Sequence, residues 1–231
     1  MPDNYISALV ASVVFPQPGS QSAMLAPMPL PAGDAQLVHI MDAALAEAAQ
    51  RAGNWLACRP GCTQCCHGAF AINELDALRL RTGMEALREA NPAAAAAIEA
   101  RARQWLAEHL PAFPGDHATG LLGQSDEDQA RFEDFADDAP CPALNHATGL
   151  CDVYAWRPMT CRVFGPPVRM GQGDALGCCE LCFIGATEAE IAACEMSLPH
   201  ELEAQLLAET ARSGQTVVAF ALLPAAPALH K

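Results

Sequence analysis

The sequence predicts a mainly α-helical fold with a small β-hairpin, in which the helices surround a cysteine-rich centre. Alanine supplies much of the 52% hydrophobic fraction and aromatic residues only 6% of the chain, and this composition favours helices. Apolar residues also recur at helical spacing in several segments. Eleven cysteines in 231 residues are too many for an ordinary globular chain, and most are grouped, which indicates that they share a task.

Size and charge limit the function further. A chain of 231 residues fits one domain, and its net charge of −14 argues against a nucleic-acid partner, because phosphate backbones select basic surfaces. No apolar run reaches the roughly 18 residues of a membrane span, and the first residues lack a basic export signal. We therefore expect a cytoplasmic protein that contacts no membrane, in a reducing compartment where clustered thiols usually serve metal or redox chemistry.

The expected organisation is an irregular N-terminal arm over residues 1–33, followed by one metal-binding domain over 34–231. Prolines and polar breaks interrupt the apolar residues of the arm, so no regular element is predicted there. A helical insertion at about 84–138 separates two groups of cysteines.

The first two helices are read from their caps and apolar stripes. Asp34 is a candidate N-cap, the stripe from Leu37 to Ala48 follows helical spacing, and Gly53 ends the helix. Asn73 can cap a second helix. Gly83 is expected to weaken or stop that helix, because glycine is a poor helix former.

The middle of the chain carries the clearest helix, from Pro92 to Leu110, with proline at its first position. Ser125 begins a capping-box pattern for a short helix, and seven acidic residues lie in 126–138. This stretch is interpreted as a solvated acidic face, with a partner-binding patch as the alternative. The segments on either side of 145–149 predict the small hairpin.

Helix signals return in the last third. Arg157-Pro158 can open a helical turn that carries Cys161, and Thr187 with Glu190 forms a second capping-box pattern. The helical segment that follows is interrupted at Leu198-Pro199. The tail from Gln215 to Leu223 is compatible with either strand or helix.

The first cysteine group has metal-ligand spacing: Cys58-x3-Cys62-x2-Cys65-Cys66, on a loop between two predicted helices. A C-x2-C turn directs two sulfurs toward one ion. In an extended stretch the side chains of the adjacent Cys65 and Cys66 would diverge, which indicates two metal positions or a polynuclear cluster. Thiolates are soft ligands that suit zinc, Cu(I) or iron-sulfur clusters.

The second group lies beyond the insertion. Its members are Cys141, Cys151, Cys161, Cys178, Cys179 and Cys182. Cys194 stands alone on a predicted helix and is interpreted as a small buried apolar residue.

Together these motifs resemble a known family. The segment Cys58 to Cys66, then Cys141-Pro142, Cys151-x2-Tyr154 and Arg157-Pro-x2-Cys161-Arg162 resemble the CxxCxxCC family of zinc- or iron-chelating proteins. Its members are also called YkgJ-type cysteine-cluster proteins and are often labelled Fe-S oxidoreductases. The resemblance implies a bacterial, cytoplasmic protein with an eight-cysteine metal centre that holds zinc or iron.

The resemblance assigns seven ligand positions and leaves an eighth open. The seven are Cys58, Cys62, Cys65, Cys66, Cys141, Cys151 and Cys161. Cys178, Cys179 and Cys182 compete for the eighth position, with Cys179 and Cys182 favoured. The first spacing, x3 where the family often has x2, departs from the family pattern.

Four residues beside the cysteines are expected to support the centre. Arg157 and Arg162 can balance the negative charge of several thiolates around a metal ion. His67 is expected to donate a hydrogen bond behind the ligands. Tyr154, with Trp156 and Phe164, is expected to pack a dry wall around the site.

Two alternative functions remain open. An iron-sulfur centre could make the protein an oxidoreductase or electron-transfer enzyme with a protein redox partner. A thiol-disulfide redox protein could use Cys65-Cys66 or the Cys179-x2-Cys182 pair, although the βαβ setting typical of that motif is missing from the predicted elements. The sequence contains no histidine spacing typical of a metal site or a catalytic triad.

Overall fold

The protein is described by a computed structural model that places residues 29–169, 175–210 and 213–224. All of these belong to one compact unit, Met28–Ala228. Most of the expected N-terminal arm lies outside the described residues. The predicted mainly α-helical class with small β-hairpins is confirmed.

The helices account for most of the regular structure in the described residues. They are α1 (Asp34–Ala52), α2 (Glu74–Ala90), α3 (Pro92–His109), α4 (Asp126–Glu133), α5 (Met159–Val163), α6 (Glu188–Ala193), α7 (His200–Glu209) and α8 (Val218–Ala221).

Short antiparallel strand pairs connect the helices. The strands are β1 (Ala71–Asn73), β2 (Gly115–Asp116), β3 (Leu121–Leu122), β4 (Leu144–Asn145), β5 (Leu150–Cys151), β6 (Val168–Arg169), β7 (Leu176–Gly177) and β8 (Gln215–Val217). The pair β4–β5 is the predicted hairpin, and β2–β3 and β6–β7 are further pairs. The pair β1–β8 joins segments that are far apart in sequence, so local patterns could not predict it.

Helix α1 begins where the sequence predicts, but its cap differs. Gly33 occupies the N-cap position and Asp34 is the first helical residue. The prediction that Asp34 caps the helix is wrong because its carboxylate accepts hydrogen bonds from the buried Arg79 of α2. Arg79 also pairs with Asp76. This buried network therefore fastens α1 to α2.

Helix α2 continues through Gly83, so the expectation that this glycine weakens or stops it is wrong. Asn73 caps the helix, accepting a hydrogen bond from the Asp76 amide at 2.9 Å. A Cβ at Gly83 would lie 2.3 Å from Cγ of Trp156. The glycine is thus needed for close packing of the indole against the helix.

Gly83→Ala tests this close approach. Alanine normally stabilises a helix interior by about 1 kcal/mol relative to glycine, but here we expect a loss of about 1–3 kcal/mol because the methyl group overpacks against Trp156. Chemical denaturation of both proteins measures the difference. Combining Gly83→Ala with Trp156→Leu should recover part of the loss, whereas a Gly83→Ala protein more stable than wild type would contradict the packing argument.

Ser125 caps α4 as predicted, and Asn91 caps α3 by accepting a hydrogen bond from the Ala94 amide. Thr187 and Glu190 form the predicted capping box of α6. The tail from Gln215 to Leu223, for which the sequence allowed a strand or a helix, contains both. Strand β8 leads directly into helix α8.

The buried core has separate parts, and cysteines border two of them. Helices α2, α3 and α8 enclose one part, against which Cys141 and Cys151 pack. Another part contains Cys179, Cys182 and Cys194 together with Ala52 and Phe183. The fold therefore places one group of thiols against one apolar core and another group within a different one.

Candidate metal centre

All eleven cysteines lie in the described residues, and none forms a disulfide. The thiols that the sequence singles out form a first group of four near residue 60 and a second group of six beyond residue 140. The loop that carries Cys58 and Cys62 lies between two 3-10 helices, Gly53–Trp55 and Gln64–Cys66. From this position the first group contacts the second group in two places.

The first contact is named here the Cys58 cluster: Cys58, Cys62, Cys179 and Cys182. The Cys58 and Cys182 thiols hydrogen bond to each other, and Cys62 and Cys179 lie near enough to act on Cys58 electrostatically. Burial, followed by these neighbours, raises the pKa of the Cys58 thiol to about 12. The electrostatic contacts indicate that the four thiols are neighbours in space.

Backbone contacts hold the two parts of the Cys58 cluster together. The Ala57 amide lies 3.4 Å from Sγ of Cys182, and the Phe183 amide donates to the Trp55 carbonyl at 2.8 Å. The Cys182 amide donates to the Cys179 carbonyl at 2.8 Å, which closes the C-x2-C segment into a turn. Gly165, with φ +120°, lets the chain pass close to Cys58, since a Cβ there would be 2.7 Å from its sulfur.

The second contact is named the Cys141 cluster: Cys65, Cys141, Cys151 and Cys161. Burial raises the pKa of Cys161, and Cys141, Cys151 and Cys65 each raise it further. Burial also raises the pKa of Cys141 to about 12, with contributions from Cys151 and Cys65. Three sulfurs from beyond residue 140 therefore face one sulfur from the loop near residue 60.

Regular elements position the Cys141 cluster. Cys151 lies on β5 and Cys161 on α5. The Cys141 amide donates to the Cys66 carbonyl at 2.7 Å, which fixes the first group against the second. Helix α5 is held against α2, because the Met159 amide donates a hydrogen bond to Oδ1 of Asp76 at 3.0 Å.

The adjacent pair Cys65-Cys66 lies on a 3-10 helix. Its thiols hydrogen bond to each other, and this bond is the largest cause of the raised pKa of Cys65. The expectation that the two side chains diverge is wrong, because it assumed an extended backbone. Cys66 is the chain neighbour of Cys65, which belongs to the Cys141 cluster. Its backbone carbonyl accepts a hydrogen bond from the Cys141 amide.

Arg157 lies beside the Cys141 cluster. It is 7% exposed, and its positive charge offsets part of the rise in the pKa of Cys65 and of Cys151. Charge balance by Arg157 is thus consistent with the geometry. Arg162 is buried elsewhere, where it donates to Asp42 at 2.7 Å and to the Ala155 carbonyl at 2.6 Å, so it secures the chain around α5.

Tyr154 does not form part of a dry wall. It is 62% exposed, and its ring lies 3.8 Å from the Arg157 guanidinium carbon. It therefore covers the outer side of Arg157 in a cation–π contact. Phe164 does pack inward, edge to face with Phe70, and Trp156 packs on Gly83.

The other candidate residues have simpler surroundings. The His67 side chain is exposed, and its backbone forms a bridge with Pro140. Cys194 is 5% exposed and packs with Cys179 and Cys182 in the apolar core, as expected of a buried apolar residue. Cys178 is exposed and precedes the Cys58 cluster ligand candidates Cys179 and Cys182.

The donor set fits a soft metal ion, since both clusters offer sulfur. Among the described residues, no three His, Cys, Asp or Glu side chains are yet arranged around one point as a metal site. Across the described ranges, no helix combines the length and the apolar character that crossing a membrane requires.

A comparison with protein families supports a metal-binding role for this region. Neither the curated proteins nor the solved structures contain a significant match to the chain. A family model matches residues 57–180, a range that includes the Cys141 cluster and three members of the Cys58 cluster, and its description reads "Putative zinc- or iron-chelating domain". The match extends over more than half of the 231 residues, and the chain therefore belongs to the CxxCxxCC family of metal-chelating domains.

Proposed function

We propose that the chain binds two zinc ions, one at the Cys58 cluster and one at the Cys141 cluster. The single observation that carries the proposal is the division of eight cysteines into two groups of four neighbouring thiols. Four thiolates complete the tetrahedral shell that structural zinc prefers. Cys66 and Cys178 are left outside the two ligand sets.

The close approach of the thiols favours a single ion at each cluster. A tetrahedral site with zinc–sulfur bonds of about 2.3 Å separates its sulfurs by only about 3.8 Å. The Cys58 and Cys182 thiols are close neighbours, as two ligands of one ion must be. An iron-sulfur cluster would need room for inorganic sulfide and several irons between the same cysteines.

The proposed role is to hold the metal ions and, through them, the architecture of the cysteine-rich region. The two ions would join the loop near residue 60 to both later segments, so that metal binding contributes directly to folding. A reducing, cytoplasmic setting suits this role, because the ligands must remain thiolates.

An iron-sulfur centre is the second candidate, and Arg157 is the observation that favours it. A buried guanidinium next to Cys65 and Cys151 would raise the reduction potential of a bound cluster. The thiol-disulfide alternative has less support, because Cys179-x2-Cys182 lies in a turn rather than at the start of a helix.

Metal analysis with a matched pair of variants tests the proposal. Anaerobically purified wild-type protein should be colourless and contain two zinc ions per chain. Cys65→Ser should lose one ion, since it removes a ligand of the Cys141 cluster, whereas Cys66→Ser should retain both.

Three outcomes would contradict the proposal. Visible absorbance that bleaches with dithionite would favour iron-sulfur, and a wild-type chain without bound metal would exclude both candidates. Equal metal loss in Cys65→Ser and Cys66→Ser would show that the ligand assignment around the doublet is wrong.

A further inference from the structure

We infer that a groove beside helix α3 binds a partner protein, through a peptide segment of the partner that carries an arginine side chain. The groove, named here the α3 groove, lies between α3 and the segment 136–142 and has a volume of about 400 Å³. That volume is in the range of ligand-binding sites. Such binding would need neither of the proposed zinc ions, because carboxylates and an indole N–H form the contacts.

Backbone hydrogen bonds fix the wall of the groove that faces α3. The Ala139 amide donates to the Ala136 carbonyl at 3.0 Å, and the Ala139 carbonyl accepts the Gly68 amide at 2.9 Å. The Cys141 amide donates to the Cys66 carbonyl at 2.7 Å. The shape of this wall therefore exists before a ligand arrives, as in most binding sites for small groups.

Trp105 of α3 brings an unused hydrogen-bond donor to the groove. The residue is 8% exposed, and its ring packs edge to face on Phe135 with 5.9 Å between the centroids. Within the described residues its indole N–H donates to no acceptor, and it is not sealed off in the core. Because Trp105 lines the groove, an acceptor that enters the groove can reach this donor. A tryptophan N–H that is largely buried usually has such a partner.

Carboxylates line the groove on both walls. Glu108 lies on α3 and Asp138 on the facing segment, and neither forms an ion pair with another described residue. Arg101 also lines the groove, but it already pairs with Asp152 at 2.6 Å and donates to the Pro142 carbonyl at 2.8 Å. The groove is therefore negatively charged, in a chain whose net charge of −14 attracts cations.

An arginine in a peptide matches both features of the groove. Its guanidinium is a planar fork of donors that pairs well with carboxylates, so Glu108 and Asp138 can share it. The peptide backbone supplies the carbonyl that the Trp105 N–H needs. A lysine fits less well, because its ammonium group is a compact and strongly hydrated charge. The acidic stretch 126–138, which the metal centre does not use, thereby contributes to a partner-binding surface.

Fluorescence anisotropy with labelled peptides tests the inference. The probe is a fluorescein-labelled alanine pentapeptide with one central arginine, mixed with the full chain. A second peptide replaces arginine by citrulline, which removes the charge and keeps the shape. We expect the citrulline peptide to bind about tenfold more weakly, because two exposed charge pairs are lost together. Rising salt should weaken the arginine peptide. Equal binding of the two peptides, or no binding of either, would overturn the inference.

Variants locate the peptide. Glu108→Gln and Asp138→Asn should each weaken the arginine peptide by about threefold to fivefold, as expected for one exposed charge pair. Both side chains are exposed, so both variants should fold. Glu85→Gln is the matched control, because it removes the same charge from an exposed position of α2 outside the groove. An equal loss in Glu85→Gln and Glu108→Gln would show that only the net charge attracts the peptide, and would overturn the inference.

Two further measurements separate a peptide from a small cation. Trp105→Phe keeps an aromatic ring and removes the N–H, so it should weaken the arginine peptide by about threefold to tenfold, and unchanged binding would contradict the role of the N–H. Free arginine amide should displace the peptide only at a much higher concentration. Displacement at equal concentration would assign the groove to a small molecule and overturn the partner-protein assignment.

Discussion

Replacing Cys161 by serine is expected to remove one metal ion and to lower the free energy of unfolding by about 5 kcal/mol. Structural zinc contributes roughly 10–16 kcal/mol to folding of the site that binds it, and loss of one of four thiolates gives up a large part of that. In a chain of this size the melting temperature should fall by about 10–20 °C. Calorimetry together with metal analysis of the same sample measures both effects.

Cys178→Ser is the matched control for this prediction. Cys178 is exposed and stands outside both proposed ligand sets, so its substitution should leave metal content and melting temperature close to those of wild type. A Cys161→Ser protein with two bound ions and an unchanged melting temperature would show that Cys161 is not a ligand.

Removing the Arg79 charge is expected to have the next largest effect on stability. Arg79 is 2% exposed and pairs with the buried carboxylates of Asp34 and Asp76. In Arg79→Met both carboxylates would remain buried without the positive charge that compensates them, which costs about 3–5 kcal/mol. Because Asp76 also accepts the Met159 amide at the start of α5, the variant should loosen the helix that carries Cys161.

Arg103→Met serves as the control for Arg79→Met. Arg103 pairs with Glu99 at 2.8 Å, but its side chain is largely exposed, so the change should cost no more than about 1 kcal/mol. Urea denaturation of the two metal-loaded variants gives the comparison. Equal stabilities would contradict a structural role for the buried network.

The sequence predicted the helices well because their caps are local. Asn73, Asn91 and Thr187 each bond to a backbone amide three residues ahead, so a short window of sequence contains the whole signal. Asp34 shows the limit of that reasoning, since its partner Arg79 lies 45 residues away. Gly83 shows the same limit, because its packing partner Trp156 is even farther away along the chain.

The candidate site was predictable in residue type and less so in arrangement. Cysteine spacing identified the thiols, but their division into two clusters depends on the β4–β5 hairpin and on the return of the chain past Gly165 to Cys179. Neither contact leaves a local pattern. The doublet Cys65-Cys66 was misread because its backbone is a 3-10 helix. Tyr154 was misplaced because its sequence neighbourhood does not show that its ring lies over Arg157 on the outer side of the site.

X-ray absorption at the metal edge tests the central claim most directly. For two separate tetrathiolate zinc sites, the zinc edge should fit four sulfur neighbours at about 2.3 Å, with no nitrogen or oxygen ligand and no nearby metal. An iron edge with a short metal–metal distance, or a zinc shell dominated by nitrogen and oxygen, would contradict the assignment of the Cys58 and Cys141 clusters as two mononuclear zinc sites.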